Sequence, residues 1–125
     1  MITKEIVLRL HELSINEYGG AQGIRDEGLI ESAVARPYQT FLGEELYQTV
    51  FEKAAAIAQS IIINHPFIDG NKRTGFLAML AILHEENCSF SVHNNLVYAF
   101  VIDISTGSKS FEEIVEWLKA NTTAN

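Results

Sequence analysis

The chain has 125 residues, 47% of them hydrophobic, a length at which one domain buries a core without disulfides or metals. Its formal net charge of −7 argues against a general nucleic-acid binder, which would carry a basic face, but leaves room for a local cationic pocket. A lone cysteine, Cys88, rules out an internal disulfide, and no apolar run reaches the roughly 18 residues of a membrane span. No basic stretch followed by an apolar run opens the chain, so a soluble, cytoplasmic protein folded as one domain over residues 1–125 is expected, with neither membrane nor direct nucleic-acid contact.

Thr3 is placed to cap a first helix running to about Asn16, with Ile6, Val7, Leu10 and Leu13 as its inward stripe. His11 borders that stripe and reads as structural. Tyr18-Gly19-Gly20 closes the helix, and the following loop, which lacks phosphate-loop spacing, reads as a connector at Gly19, Gly20 and Gly23. Arg25 either pairs with a nearby acid or lines a site, and structure is the preferred role. Asp26 caps a second helix with Leu29, Ile30, Ala33 and Val34 inward, stopped by Pro37. Tyr38, Phe41 and Leu42 read as a packed turn or short helix, broken at Gly43. A nearly apolar helix follows from about Leu46 to Asn64, and another from Asn71 to about Glu86; both read as buried and central.

Beyond them, Cys88, Phe90 and Val92 alternate with polar residues, a strand signal too short for a sheet of its own. A catalytic Cys88 would need a nearby histidine, and a small half-buried residue is the preferred reading; His84 with Cys88 alone does not make a zinc site. Asn94 or Asn95 starts a helix with Leu96, Val97, Phe100, Val101 and Ile104 inward, ended by Gly107. Ser110 and Glu113 form a capping box ahead of a last helix burying Phe111, Ile114, Val115 and Leu118, with Trp117 at its edge. The tail from Asn121 to Asn125 reads as frayed. The fold class is all-α, about six helices around a buried central helical hairpin.

The polar loop between the two central helices, His65-Pro66-Phe67-Ile68-Asp69-Gly70-Asn71-Lys72-Arg73, needs a reason. Pro66 biases His65 away from helix, Asp69-Gly70 signals a turn, and Asn71 is a good N-cap. Lys72 and Arg73 then fall in a first helical turn, where cations oppose the macrodipole by about 0.3–1 kcal/mol each. A bound phosphate removes that conflict and uses the free N–H groups. Asp69 would repel phosphate unless Mg²⁺ stands between them. His65 is the natural proton acceptor for an attacking hydroxyl. The bland reading is an ordinary turn with a satisfied histidine and a solvated helix start.

His65, Phe67, Asp69, Gly70, Asn71 and Arg73 match the motif H-x-F-x-[DE]-G-N-G-R-x-x-R, and the stretch resembles that of the Fic/Doc family. Lys72 stands in place of the second glycine and Phe76 in place of the second arginine. Both departures resemble the Doc branch, the death-on-curing toxins, as do Tyr18-Gly19-Gly20, Gly23 to Asp26, Gly28 to Ala33 and Arg36-Pro37. The likeness extends to about Leu83.

The resemblance implies a Fic/Doc fold and a Mg²⁺–ATP-dependent kinase toxin, acting on a protein hydroxyl. For Doc relatives that hydroxyl is a threonine of the elongation factor EF-Tu, and translation stops. By motif position His65 is the base, Asp69 holds Mg²⁺, and Gly70, Asn71, Lys72 and Arg73 hold phosphates. Tyr38 to Tyr47 stands where Fic enzymes carry a target-positioning flap, in a short form. An antitoxin is implied in trans, because the self-restraining segment [ST]-x-x-x-E-[GN] is approached only by Ser108 to Glu112, with Glu113 following. The alternatives are AMP transfer by the same site and a non-catalytic helical module whose loop binds an anion.

Overall fold

The structure, a computed structural model, describes residues 1–124. Six α-helices follow in order: α1 (Lys4–Tyr18), α2 (Glu27–Ala35), α3 (Val50–Asn64), α4 (Asn71–Glu85), α5 (Asn94–Thr106) and α6 (Phe111–Asn121). A 3-10 turn (Arg36–Tyr38) holds Pro37 and ends α2, and two small antiparallel pairs complete the chain: β1 (Thr40–Phe41) with β2 (Glu44–Glu45), and β3 (Cys88–Phe90) with β4 (Thr122–Ala124). The all-α class and the six helices are as expected.

The centre is α3, which packs against α2, α4, α5 and α6. Its Ala54 to Ala58, Ile61 and Ile62 are buried, so alanine-rich faces bring the neighbouring helices close. The tightest approach is to α4 at Gly75, where a Cβ would lie 2.6 Å from Ile62 Cγ1 and 3.3 Å from the Ala58 carbonyl oxygen. Helix α3 starts at Val50 rather than Leu46, because Thr49 and Glu52 form a capping box. Arg36 anchors the preceding segment, donating to the Tyr47 hydroxyl at 3.0 Å and, on α3, to the Ala56 carbonyl and Ser60 Oγ.

Several expectations are corrected. Tyr38 ends the short 3-10 helix and packs against the core, but Phe41 and Leu42 belong to no packed turn: β1 and β2 form a hairpin through Leu42-Gly43, both at positive φ (53° and 82°), as a two-residue type I′ loop requires. Phe41 and Leu42 are exposed at its tip. The tail is not frayed where described: Thr122 to Ala124 pairs with Cys88 to Phe90, giving the short strand the partner it lacked, while Asn125 lies outside the described residues. On α5, Leu96 faces solvent, and Phe100, Val101 and Ile104 form the buried face. Trp117 is half-buried and stacks on Phe100 at 3.7 Å between centroids. The caps at Thr3, Asp26 and Ser110 are as the sequence dictates. No helix among the described residues is long and apolar enough to cross a membrane.

The buried face of α1 is the most informative correction. It is Val7, His11, Ser14 and Ile15, while Ile6 and Leu13 are 40% and 46% exposed. This stripe keeps helical spacing but includes two polar residues, because α1 packs on the polar loop between α3 and α4.

Candidate active site

Helix α3 ends at Asn64, and His65 takes the left-handed conformation (φ 52°, ψ 60°). That turns the chain out of the helix and leaves the imidazole exposed at the mouth of a cleft. Pro66 and Phe67 then run inward, and both are buried. His11 stacks on Phe67 with centroids 3.8 Å apart and meets the Asp69 carbonyl oxygen through Nε2 at 2.8 Å. The structural reading of His11 holds, and its task is to seat this loop.

Asn71 is not the N-cap. Gly70 is, in the left-handed region at φ 78°, and Asn71 is the first helical residue. Its amide is spent inside the loop: Oδ1 accepts from the Phe67 N–H and Nδ2 donates to the Phe67 carbonyl, both at 2.9 Å. Asn71 therefore ties the loop into a closed turn, with its backbone N–H at the helix start. Without a capping side chain on Gly70, the first-turn N–H groups of α4 stay available to an anion.

Asp69 is exposed, and its two carboxylate oxygens accept from the Ala21 N–H (3.1 Å) and the Gly70 N–H (2.9 Å). Those two bonds, with Arg73 nearby, hold its pKa below the ordinary carboxylate value. The group is thus ionised, with lone pairs to spare. Among the described residues no three carboxylate, imidazole or thiol groups converge on a metal position. Asp69 fits a Mg²⁺ held by one carboxylate together with phosphate oxygens and water.

Lys72 is exposed, and its ammonium makes no hydrogen bond or ion pair within the described residues. Arg73 is directed toward α1: Nη1 lies 3.3 Å from Ser14 Oγ and 3.4 Å from the Ser14 carbonyl, and the guanidinium lies over the Tyr18 ring at 4.7 Å. Thus His65, Asp69, Gly70, Asn71, Lys72 and Arg73, all singled out in the sequence, line one cleft of about 1030 Å³. That is at the upper end of small-molecule sites and far more than phosphates alone occupy. The rest of its lining escaped the sequence reading. Tyr18 comes from α1, and an apolar wall is built by Phe76, Leu80, Phe90, Val97 and Val101. Phe76, at the position of the missing arginine, stacks on Phe90 with centroids 5.8 Å apart.

The glycine-containing loop after α1 is no mere connector. Ile24 forms an antiparallel bridge with Phe67, and the Ile68 N–H donates to the Gly23 carbonyl at 3.1 Å. At Gly20 (φ 115°) a Cβ would stand 2.7 Å from Asp69 Oδ2, so only glycine lets this loop close over that carboxylate. Arg25 has no acidic partner among the described residues; its guanidinium donates to the carbonyls of Asn64 and His65.

The loop between α3 and α4 thus presents one imidazole, one ionised carboxylate and a cationic helix start to one cleft, within an all-α fold built on a buried helical hairpin. A family model described as Fic/DOC family matches residues 1–83, and the chain belongs to that family. Two of its relatives carry Doc names. It is 46% identical over 67 residues to Toxin Doc of Mycolicibacterium smegmatis, a match covering 54% of this chain and 52% of that protein. It is 27% identical over 118 residues to Protein kinase doc of Escherichia phage P1, covering 94% of this chain and 92% of that one. The chain thus matches about half the length of the mycobacterial toxin and nearly all of the phage kinase.

Proposed function

We propose that this chain acts as one domain and as a Doc-like toxin, a Mg²⁺–ATP-dependent kinase that phosphorylates a protein hydroxyl. The observation that carries the reading is the Lys72 ammonium, unpaired among the described residues, at the start of α4, in the same cleft as the exposed His65 imidazole. The likeness to proteins named toxin and protein kinase supports it. A neutral ring nitrogen of His65 accepts the proton of the attacking hydroxyl. The hydroxyl oxygen bonds to the terminal phosphorus as the bond from that phosphorus to the bridging oxygen breaks and ADP leaves. The Lys72 and Arg73 side chains and the first-turn N–H groups of α4, from Asn71 to Arg73, neutralise the phosphates, which is most of what such transfer asks of a protein; the Gly70 N–H is held by Asp69. Asp69 would hold a Mg²⁺, which would supply further charge neutralisation there. The apolar wall leaves room for the rest of the nucleotide.

The resemblance to the Doc branch carries the finer reading: a threonine of EF-Tu as acceptor, arrest of translation in the cytoplasm, and an antitoxin encoded as a separate chain. Expression of the chain in bacteria tests it. Growth should stop, and His65→Ala should restore growth at equal protein level. Arrest that persists in the variant would point to a module acting by binding alone, as would Mg²⁺–ATP binding without transfer to any cell protein.

A further inference from the structure

Three consecutive carbonyls at the end of α3, those of Asn64, His65 and Pro66, are bound by one residue. The Arg25 guanidinium donates from Nη2 to Asn64 and from Nε to His65, both at 2.6 Å. The Arg25 N–H donates to the Pro66 carbonyl at 2.8 Å, with the Asp26 N–H joining it at 3.0 Å. Carbonyls at the end of a helix have no intrahelical partner, so a side-chain cap is a common solution. This cap is unusual in where it falls. It brackets His65, a non-glycine residue in the left-handed region, where an L side chain sits only if its surroundings hold it. The imidazole itself has no hydrogen bond within the described residues, so the backbone sets where its ring can reach. Residues 23–26 run from the bridge with Phe67 to the cap of α2, so the guanidinium is delivered from a segment fixed at both ends.

We propose that Arg25 is a positioning residue for group transfer, acting through the main chain of His65 and not on the substrate. The inference rests on the transfer reading given above. Two donors of the fork are committed to carbonyls, which a lysine ammonium could not span in the same plane. A displacement of about 1 Å at a reacting group can cost on the order of 10²-fold in rate. Loss of Arg25 should therefore lower kcat and spare nucleotide binding.

The test compares the wild-type chain with Arg25→Ala and Arg25→Lys in transfer from labelled ATP to lysate protein. The melting midpoint and the His65 imidazole resonances are measured alongside. Arg25→Ala should lower kcat by about tenfold or more, leave KM for ATP within about twofold, and shift or broaden the His65 resonances. Arg25→Lys should fall between, because it keeps the charge but not the fork. A raised KM with kcat unchanged would make Arg25 a substrate ligand and overturn the proposal. So would full activity in Arg25→Ala, or lost activity with unmoved His65 resonances. If Arg25→Ala does not fold, Arg25→Lys decides by the same readouts. If the wild-type chain transfers nothing, the kinase reading falls, and the His65 resonances alone judge whether Arg25 holds that ring.

Discussion

His65 joins two demands at one residue: it ends a buried helix, and it points an imidazole into a cleft. His65→Ala should keep a cooperative melting transition and lower transfer by about 10²–10⁴-fold; a melted variant would make the histidine structural. Asp69 carries a linkage prediction. Its folded-state pKa lies below the ordinary value, so between the two values the unfolded chain binds more protons. Its contribution to stability is present above the ordinary carboxylate range and is lost as pH falls through the folded value. Asp69→Asn should flatten the acid limb of the stability profile and weaken ATP binding more with Mg²⁺ than without. Equal weakening in both conditions would remove the metal from Asp69. Thr74 presents the opposite case, a fully buried hydroxyl without a partner among the described residues. Thr74→Val keeps the shape and should leave the melting midpoint equal or higher, since nothing satisfied is lost. The motif residues were legible because polar side chains between two apolar helices demand a use. Arg25 and His11 were not legible in their actual roles, because their partners are carbonyls, which every residue carries and no sequence pattern marks.

Among the elements, the α3–α4 pair depends on the absence of one side chain. Gly75→Ala puts a Cβ against Ile62 and the α3 backbone, and should lower stability by about 1–3 kcal/mol, as overpacking does. Chemical denaturation checks it, and an unchanged midpoint would mean that the helices separate without cost. The cap at Ser110 was legible as a serine three residues before an acid, and the box at Thr49 and Glu52 carried the same signal three helices earlier. It was hidden by Leu46, which extended the apolar pattern into the hairpin segment. The stripe of α1 was misread for a related reason. Val7, His11, Ser14 and Ile15 repeat at helical spacing, but two of the four are polar, and apolar periodicity cannot show a face that packs on a polar loop. The β3–β4 pair joins residues more than thirty positions apart, and three-residue strands have no signal strong enough to announce such a partner.

For the whole molecule, the all-α fold followed from the helical patterns, whereas the cleft did not. Its polar end comes from one contiguous stretch, but its apolar wall is assembled from α4, β3 and α5. A net charge of −7 coexists with a cationic pocket because Lys72 and Arg73 are gathered at one helix start. Lys72 stands where the motif has glycine, and Phe76 belongs to the wall where it has arginine. The expected consequence is that the terminal phosphate, rather than the α-phosphate, faces the hydroxyl that His65 activates, and Lys72→Gly should then admit some AMP transfer. ATP labelled at the γ-phosphate or at the α-phosphate, incubated with this chain and a bacterial lysate, reads that orientation directly. A protein should be labelled from the γ-phosphate, not from the α-phosphate, and should stay unlabelled when His65→Ala is used; label arriving only from the α-phosphate would contradict kinase transfer by this site.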